Sequence, residues 1–329
     1  MAKKIVVLGA GGWGITLSIL LEKAGNEVIL WEPLPETCEI LLKERQNTLY
    51  FPGFSLPPAI HITGSMEEAI GNSEIGLIAL RSVYFRKAVS GIRKIGKEMP
   101  FVIATKGIEI QSCKTMSEVL TEELGSETVC GSLSGPTIAR EIASGKPSAA
   151  VIATRNRRLA RIFQDLFDPR MFRIYSSTDI KGVEIGGAFK NVLAVGAGII
   201  DGLELGVNTK AAYLARALNE MINIGLALGA REKTFRGLSG IGDLITTSFS
   251  MDSRNRSFGQ AIVKEGKKEY LSRTRTVIEG IPATEAFYRI SRKESVEMPI
   301  TGAIYNIIFR DRDPLDEIRS LMDRQLKDE

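Results

Sequence analysis

The stretch that decides the fold runs from Lys3 to Gly25, KKIVVLGAGGWGITLSILLEKAG. It opens on a short apolar run, Ile5 to Leu8, closed off by glycine. A run of that length bounded by turn residues reads as a buried strand. From Gly12 onward apolar residues recur at helical spacing, and Gly25 is a stop signal. Between strand and helix, Gly9, Gly11 and Gly14 stand in G-x-G-x-x-G spacing. Alone that spacing is weak, because a chain with 32 glycines produces it by chance. At a strand-to-helix junction it acquires physical meaning. Gly9 permits the tight turn, Gly11 lets the backbone approach a diphosphate, and Gly14 lets the helix pack closely. The helix N-terminus attracts the anion. These residues predict a dinucleotide site.

Working outward, strand-like and helix-like segments alternate. NEVILW, IHIT, EIGLIAL, FVIAT, TVCGSL, SAAVIAT and FRIYSS read as further strands, with helical stretches between them. Such alternation predicts parallel strands joined by crossover helices. The pattern changes near Thr178. Beyond it, DIKGVEIGGAFKNVLAVGAGIIDG, TKAAYLARALNEMINIGLALG, PATEAFYRISRKES and PITGAIYNIIF all read as helices. The expected fold class is α/β: a Rossmann-type, doubly wound sheet domain over residues 1–180, then an all-α domain over 181–329. A chain of 329 residues is itself more than one core usually serves.

Composition narrows the chemistry. Net charge is +4, from 43 basic and 39 acidic residues. No basic stripe interleaved with aromatics stands out, so nucleic acid is not an expected partner. The cysteines, Cys38, Cys113 and Cys130, are odd in number and scattered. Structural disulfides and a thiolate metal site are not expected, and a reducing, cytoplasmic setting is. The apolar run after Lys4 ends too soon for a signal peptide, and no stretch reads as membrane-spanning. His61 is the single histidine. A histidine-built metal site is therefore excluded by arithmetic, and proton transfer falls to Lys, Asp, Glu or Tyr.

Several polar interruptions of apolar or glycine-rich sequence are candidate site residues. Glu32, at the end of the second strand, stands where a carboxylate would accept from the adenosine ribose hydroxyls and repel a 2′-phosphate, favouring NAD over NADP. Lys106 follows a strand, at the carboxyl edge where open α/β sheets bind ligands. Ser134, Gly135, Pro136 and Thr137 open a short helix whose free N–H groups suit an anion. Asp243, Thr246, Thr247, Ser253, Arg254, Asn255 and Arg256 lie in one polar segment, and arginine can grip phosphate with two parallel bonds. Lys190 and Asn191 interrupt the apolar helix IGGAFKNVLAVGAG, residues 185–198. Burying an ammonium costs several kcal/mol unless it is paired or loses its proton. Desolvation lowers a lysine pKa, a lysine so tuned can exchange a proton near neutrality, and a carboxylate partner limits the shift. Asp243 is the expected partner that holds Lys190, and Asn191 suits the orienting of a substrate oxygen.

Together GAGGWG, ATKG, SGPTIARE, EIGGAFKNVLAVGAGIIDG, GIGDLITTS, SRNRSFG and VIEG resemble, in order, the NAD(P)-dependent sn-glycerol-3-phosphate dehydrogenase family. The resemblance spans nearly the whole chain. It implies reversible reduction of dihydroxyacetone phosphate to glycerol 3-phosphate, feeding glycerophospholipid synthesis. It also implies a dimer without membrane insertion. By this resemblance Lys190 is the proton donor and acceptor, and Lys106, Asn191, Asp243 and Thr247 line the substrate. Gly135 and Thr137 contact the substrate through the backbone, and Ser253, Arg254 and Asn255 grip its phosphate. Gly12, Trp13, Lys106, Ala139, Arg254, Val277 and Glu279 match positions beside the cofactor, NAD or NADP. Two departures stand out: Glu32-Pro33 replaces the family's basic or small residue, and Arg81 replaces a common proline. Rival readings are a related two-domain 3-hydroxy-acid dehydrogenase and a non-catalytic dinucleotide sensor.

Overall fold

The computed structural model describes residues 2–274 and 277–325. In the first half the strands are β1 (Lys4–Leu8), β2 (Glu27–Trp31), β3 (His61–Thr63), β4 (Ile75–Ile78), β5 (Phe101–Ile103), β6 (Cys130–Ser134), β7 (Ser148–Ala153) and β8 (Phe172–Ser177). The helices between them are α1 (Gly12–Lys23), α2 (Pro35–Glu44), α3 (Met66–Gly71), α4 (Ser82–Ile95), α5 (Met116–Leu124), α6 (Ala139–Ala143) and α7 (Arg157–Asp165). All eight expected strands form, and they join in one sheet of order β3-β2-β1-β4-β5-β6-β7-β8. The order reverses between β1 and β4, which is the topological switch point of doubly wound sheets. Along β1, Ile5 and Val7 join the core on one face while Val6 and Leu8 join the core on the other. A strand covered on both sides needs apolar residues at every position, and IVVL supplies them.

One expectation of the sequence reading is corrected. The sheet is not parallel throughout, because β7 runs antiparallel to β6, with Leu133 opposite Ile152. β8 then runs parallel to β7. The link from β6 to β7 carries only α6, five residues long, rising about 7.5 Å. That is too short to carry the chain back along the sheet, so the strand returns beside its neighbour.

After Ser177 the described residues form helices alone: α8 (Ile180–Gly202), α9 (Gly206–Ala227), α10 (Glu232–Phe235), a π-turn (Leu238–Gly242), α11 (Asp243–Phe249), α12 (Arg254–Lys264), α13 (Lys267–Arg273), α14 (Gly280–Lys293), α15 (Pro299–Phe309) and α16 (Pro314–Met322). Asp179 caps α8, accepting from the Gly182 N–H. α8 is the axis of this half, and residues 182–200 are buried without interruption. Its 23 residues are long and apolar enough to cross a membrane, contrary to the sequence reading. The helix is instead enclosed by protein.

Glycine lets its neighbours come that close. A Cβ on Gly198 would lie 1.9 Å from the Arg256 carbonyl oxygen, and one on Gly259 would lie 2.0 Å from that of Val195. α8 and α12 therefore touch backbone to backbone. That contact sets Asn255 beside Asn191, and the Asn255 carboxamide donates to the Asn191 Oδ1 at 2.8 Å.

Candidate active site

A cleft of about 400 Å³ opens at the carboxyl ends of β1, β4 and β5, with α8, α11 and α12 forming its far wall. Gly11, Gly12, Trp13, Lys106, Thr137, Ala139, Lys190, Asn191, Thr247, Ser253, Arg254, Asn255, Val277 and Glu279 all line it. Elements far apart in sequence thus converge on one cleft, while Gly135 and Asp243 lie outside its lining and reach it through Lys106. A larger groove of about 1020 Å³ lies elsewhere, beside α7 and α10. It contains none of the singled-out residues, and its cations Arg157, Arg161, Arg231 and Lys233 are solvent-exposed.

The glycine turn is built for close approach. Gly9 has φ +108°, and a Cβ on Gly14 would sit 1.9 Å from the Gly9 carbonyl oxygen. A Cβ on Gly11 would meet nothing within 4 Å. The turn leaves open space at Gly11, at the start of α1, where helix N-termini favour anions. Gly9 and Gly14 do not line the cleft; they shape the turn beneath it.

Glu32 follows the end of β2 and spends one bond from each carboxylate oxygen on the backbone. It is absent from the cleft lining and only 7% exposed. Its carboxylate accepts from the backbone N–H of Ala10 at 3.2 Å and of Leu34 at 3.0 Å. Burial raises its pKa, against the pull of those two N–H groups. Glu32 thus braces the glycine turn through Ala10.

The lysines share one carboxylate. Asp243, in the first turn of α11 and 2% exposed, lies 2.6 Å from the Lys106 ammonium through Oδ2 and 3.0 Å from the Lys190 ammonium through Oδ1. The expected Lys190–Asp243 pair is therefore half of a bridge. Burial alone pushes the Asp243 pKa up, but the two ammoniums prevail and hold it below its ordinary range. Lys106 also donates to the Gly135 carbonyl at 2.9 Å and to the Thr137 hydroxyl at 3.0 Å. An ammonium has three donors, so Lys106 is saturated. Burial pulls its pKa down to about 8, Asp243 opposes the fall, and Lys190 adds to it.

Lys190 is 8% exposed. It donates to the Thr247 hydroxyl at 2.7 Å and to Asp243. One N–H is left, in a side chain that lines the cleft.

Beyond the lysines, Arg254 and Asn255 start α12, where backbone N–H groups have no intrahelical acceptor. Ser253 is the N-cap, accepting from the Arg256 N–H. Burial, then the nearby Arg81, lower the Arg254 pKa. The Asn255 side chain is largely committed, to Asn191 and to the Gly280 N–H at 2.9 Å, so what it offers a phosphate is chiefly its backbone. Arg256 is not part of the cleft; it pairs with Asp201 at 2.6 Å. Glu279 accepts from the Ser82 N–H at 3.1 Å and the Ser82 hydroxyl at 2.6 Å. Burial raises its pKa, with Ser82 opposing.

Models of the N-terminus and the C-terminus of NAD-dependent glycerol-3-phosphate dehydrogenase match residues 4–160 and 179–319 of this chain. The chain belongs to the NAD-dependent glycerol-3-phosphate dehydrogenase family. It is 41% identical to the glycerol-3-phosphate dehydrogenase [NAD(P)+] of Citrifermentans bemidjiense, over 100% of this chain and 99% of the relative. It is likewise 41% identical to that of Thermoanaerobacter sp. strain X514, over 99% and 98%. The crystal structure of glycerol-3-phosphate dehydrogenase from Coxiella burnetii superposes with a TM-score of 0.94 at 31% identity, covering 98% of this chain and 99% of that one. Membership in this dehydrogenase family sets aside the 3-hydroxy-acid dehydrogenase and sensor readings.

Tyr50, Arg140 and Asp252 line the cleft of this glycerol-3-phosphate dehydrogenase family member and were missed in the sequence. Tyr50 belongs to LYFPGF, whose aromatics signal a packed rather than solvated loop. Phe51 and Phe54 stack at 4.5 Å, with the Arg140 guanidinium 5.5 Å from the Phe51 ring. Nothing in the local sequence marks Arg140, because only the fold brings it there.

Proposed function

We propose that the cleft reduces dihydroxyacetone phosphate to sn-glycerol 3-phosphate, reversibly, with Lys190 as the proton donor and acceptor. The observation that carries this reading is the hydrogen-bond count. Among the described residues Lys106 spends all three donors on protein, whereas Lys190, which also lines the cleft, spends two. The nicotinamide cofactor, when bound at the glycine turn, supplies the hydride. As negative charge develops on the carbonyl oxygen, Lys190 donates its proton there. Asp243 and Thr247 fix the direction of that donor, and Lys106 adds positive potential through the shared carboxylate. Asn191 orients the substrate oxygen. The phosphate is held by the Arg254 guanidinium and the first N–H groups of α12, with Ser253 shaping that turn. Gly135 and Thr137 present backbone to the substrate. Gly12, Trp13, Ala139, Val277 and Glu279 border the cofactor.

The cofactor is NAD or NADP, and NAD is the proposed preference. The buried Glu32 carboxylate keeps an acceptor site free on each oxygen at the end of β2 and disfavours a 2′-phosphate there. Residues 1–180 then hold the dinucleotide and 181–329 the substrate, in a cytoplasmic homodimer whose product feeds glycerophospholipid synthesis.

The test is oxidation of NADH and NADPH with and without dihydroxyacetone phosphate, in wild type and Lys190→Ala. Ketone-dependent turnover favouring NADH is expected. The variant is expected to lose at least about a hundredfold in kcat while still binding NADH. Near-normal kcat in that variant assigns the proton to another group.

A further inference from the structure

The residue after β4 that departs from the family pattern, Arg81, has no assigned role. It is the N-cap of α4 but makes no side-chain cap bond. Its half-buried side chain lines the cleft. Among the described residues its guanidinium makes no hydrogen bond or ion pair; it lies over the Tyr50 ring, 5.3 Å from the centroid. The charged groups whose fields reach it are Glu32, Glu279 and Arg254. Neither carboxylate uses it. Glu32 is bonded to Ala10 and Leu34, and Glu279 to Ser82.

Its position is fixed by the glycine turn. Gly9 packs so tightly on the end of β4 that a Cβ there would lie 2.9 Å from Leu80 and 3.0 Å from the Ala79 carbonyl. On the opposite side, a Cβ on Gly12 would lie 2.7 Å from the Phe51 ring. Asn47 anchors that segment, donating to the Ala10 carbonyl at 2.8 Å. Arg81 follows Leu80 and Tyr50 precedes Phe51, so the pair spans the mouth of the turn from both flanks. The first turn of α1 carries no charged side chain, and a half-buried cation without an acceptor is stabilised by an anion placed before it.

We propose that Arg81, held over the turn by Tyr50, is a clamp on the diphosphate of the dinucleotide. The clamp adds a side-chain charge to the helix N-terminus. It rests on the reading of the cleft as a dinucleotide site, and Arg254 remains free for the substrate's phosphate.

The experiment measures Kd for NADH, NADPH, ADP and 2′-AMP, in wild type, Arg81→Met, Arg81→Lys, Tyr50→Leu and the Arg81→Met/Tyr50→Leu double variant. Arg81→Met is expected to raise Kd for NADH, NADPH and ADP by the same factor, on the order of tenfold, the effect of losing one charge-assisted bond. 2′-AMP, which has no diphosphate, is expected to bind unchanged. The salt dependence of ADP binding is expected to flatten in the variant, which loss of packing would not produce. Arg81→Lys is expected to restore part of the affinity. Tyr50→Leu is expected to weaken ADP binding in the wild-type background and to have little further effect beside Arg81→Met. Unchanged ADP and NADH affinity in Arg81→Met overturns the clamp while leaving the dinucleotide site intact. A loss confined to NADPH and 2′-AMP overturns it in favour of a 2′-phosphate contact. Failure of the wild type to bind NADH overturns both readings.

Discussion

At the scale of residues, the site turns on how two ammoniums divide their donors. Asp243→Asn leaves both lysines buried without a counter-charge, and breaking a buried pair from one side costs about 3 kcal/mol or more. The variant is expected to show a lower urea midpoint together with kcat reduced at least about a hundredfold. A variant with normal stability would mean that the bridge contributes nothing to folding. A pH effect follows as well. The Lys106 pKa lies at about 8, so its positive charge is present below that value and lost as pH rises through it. The ratio kcat/KM for the ketone phosphate is expected to fall on the alkaline side of about pH 8, since that ratio reports the free enzyme. Asp243 opposes the downward pull on Lys106, so Asp243→Asn is expected to move this limb to lower pH. A limb that stays in place would mean that another group titrates there. Lys190 was legible because a cation inside apolar sequence requires a reason. The saturation of Lys106 was not, since two of its acceptors, Gly135 and Thr137, come from a turn about thirty positions away that only the parallel pairing of β5 with β6 sets alongside it.

At the scale of elements, the position of α12 against α8 is set by glycines rather than by side chains. Gly259→Ala puts a methyl 2.0 Å from the Val195 carbonyl oxygen, and neither backbone can yield without separating the helices. Overpacking of this kind costs about 1–3 kcal/mol. Because α12 also carries Arg254, the variant is expected to raise KM for dihydroxyacetone phosphate as well as lower Tm. Gly302→Ala on α15 is the matched control. A Cβ there meets nothing within 4 Å, and replacing a mid-helix glycine is expected to stabilise by roughly 0.5–1 kcal/mol. Loss of stability in both variants would show that something other than the α8–α12 contact is being measured. Element identity was highly legible, since IVVL and IGLI can hardly be other than doubly covered strands. The antiparallel turn into β7 was not legible, because alternation of strand and helix does not report how far a short helix travels. Glu32 was legible as a carboxylate at a strand end, but its two backbone partners, Ala10 and Leu34, were not, because only the fold sets those amides around it.

At the scale of the molecule, the two halves are joined by carboxylates that cross from the helical half into the sheet half. Glu184 on α8 accepts from the Ser117 N–H at 2.8 Å and from the Ser132 hydroxyl at 2.8 Å. Glu279 holds Ser82, and Asp243 holds Lys106. Opening the junction strips several buried donors of their acceptor at once, at about 1–3 kcal/mol each. The halves are therefore expected to unfold as one unit. The sequence offers a direct measurement, because both tryptophans, Trp13 and Trp31, lie in the sheet half. Tryptophan emission follows that half during urea unfolding, while helical circular dichroism is weighted toward the other. Coincident midpoints are expected in the wild type. Glu184→Leu, which leaves the Ser117 and Ser132 donors unsatisfied, is expected to lower both midpoints together. If the emission midpoint moved alone, or the two curves separated in the wild type, the halves would be independent folding units, and the cleft between them would owe its geometry to the bound ligands rather than to these crossings.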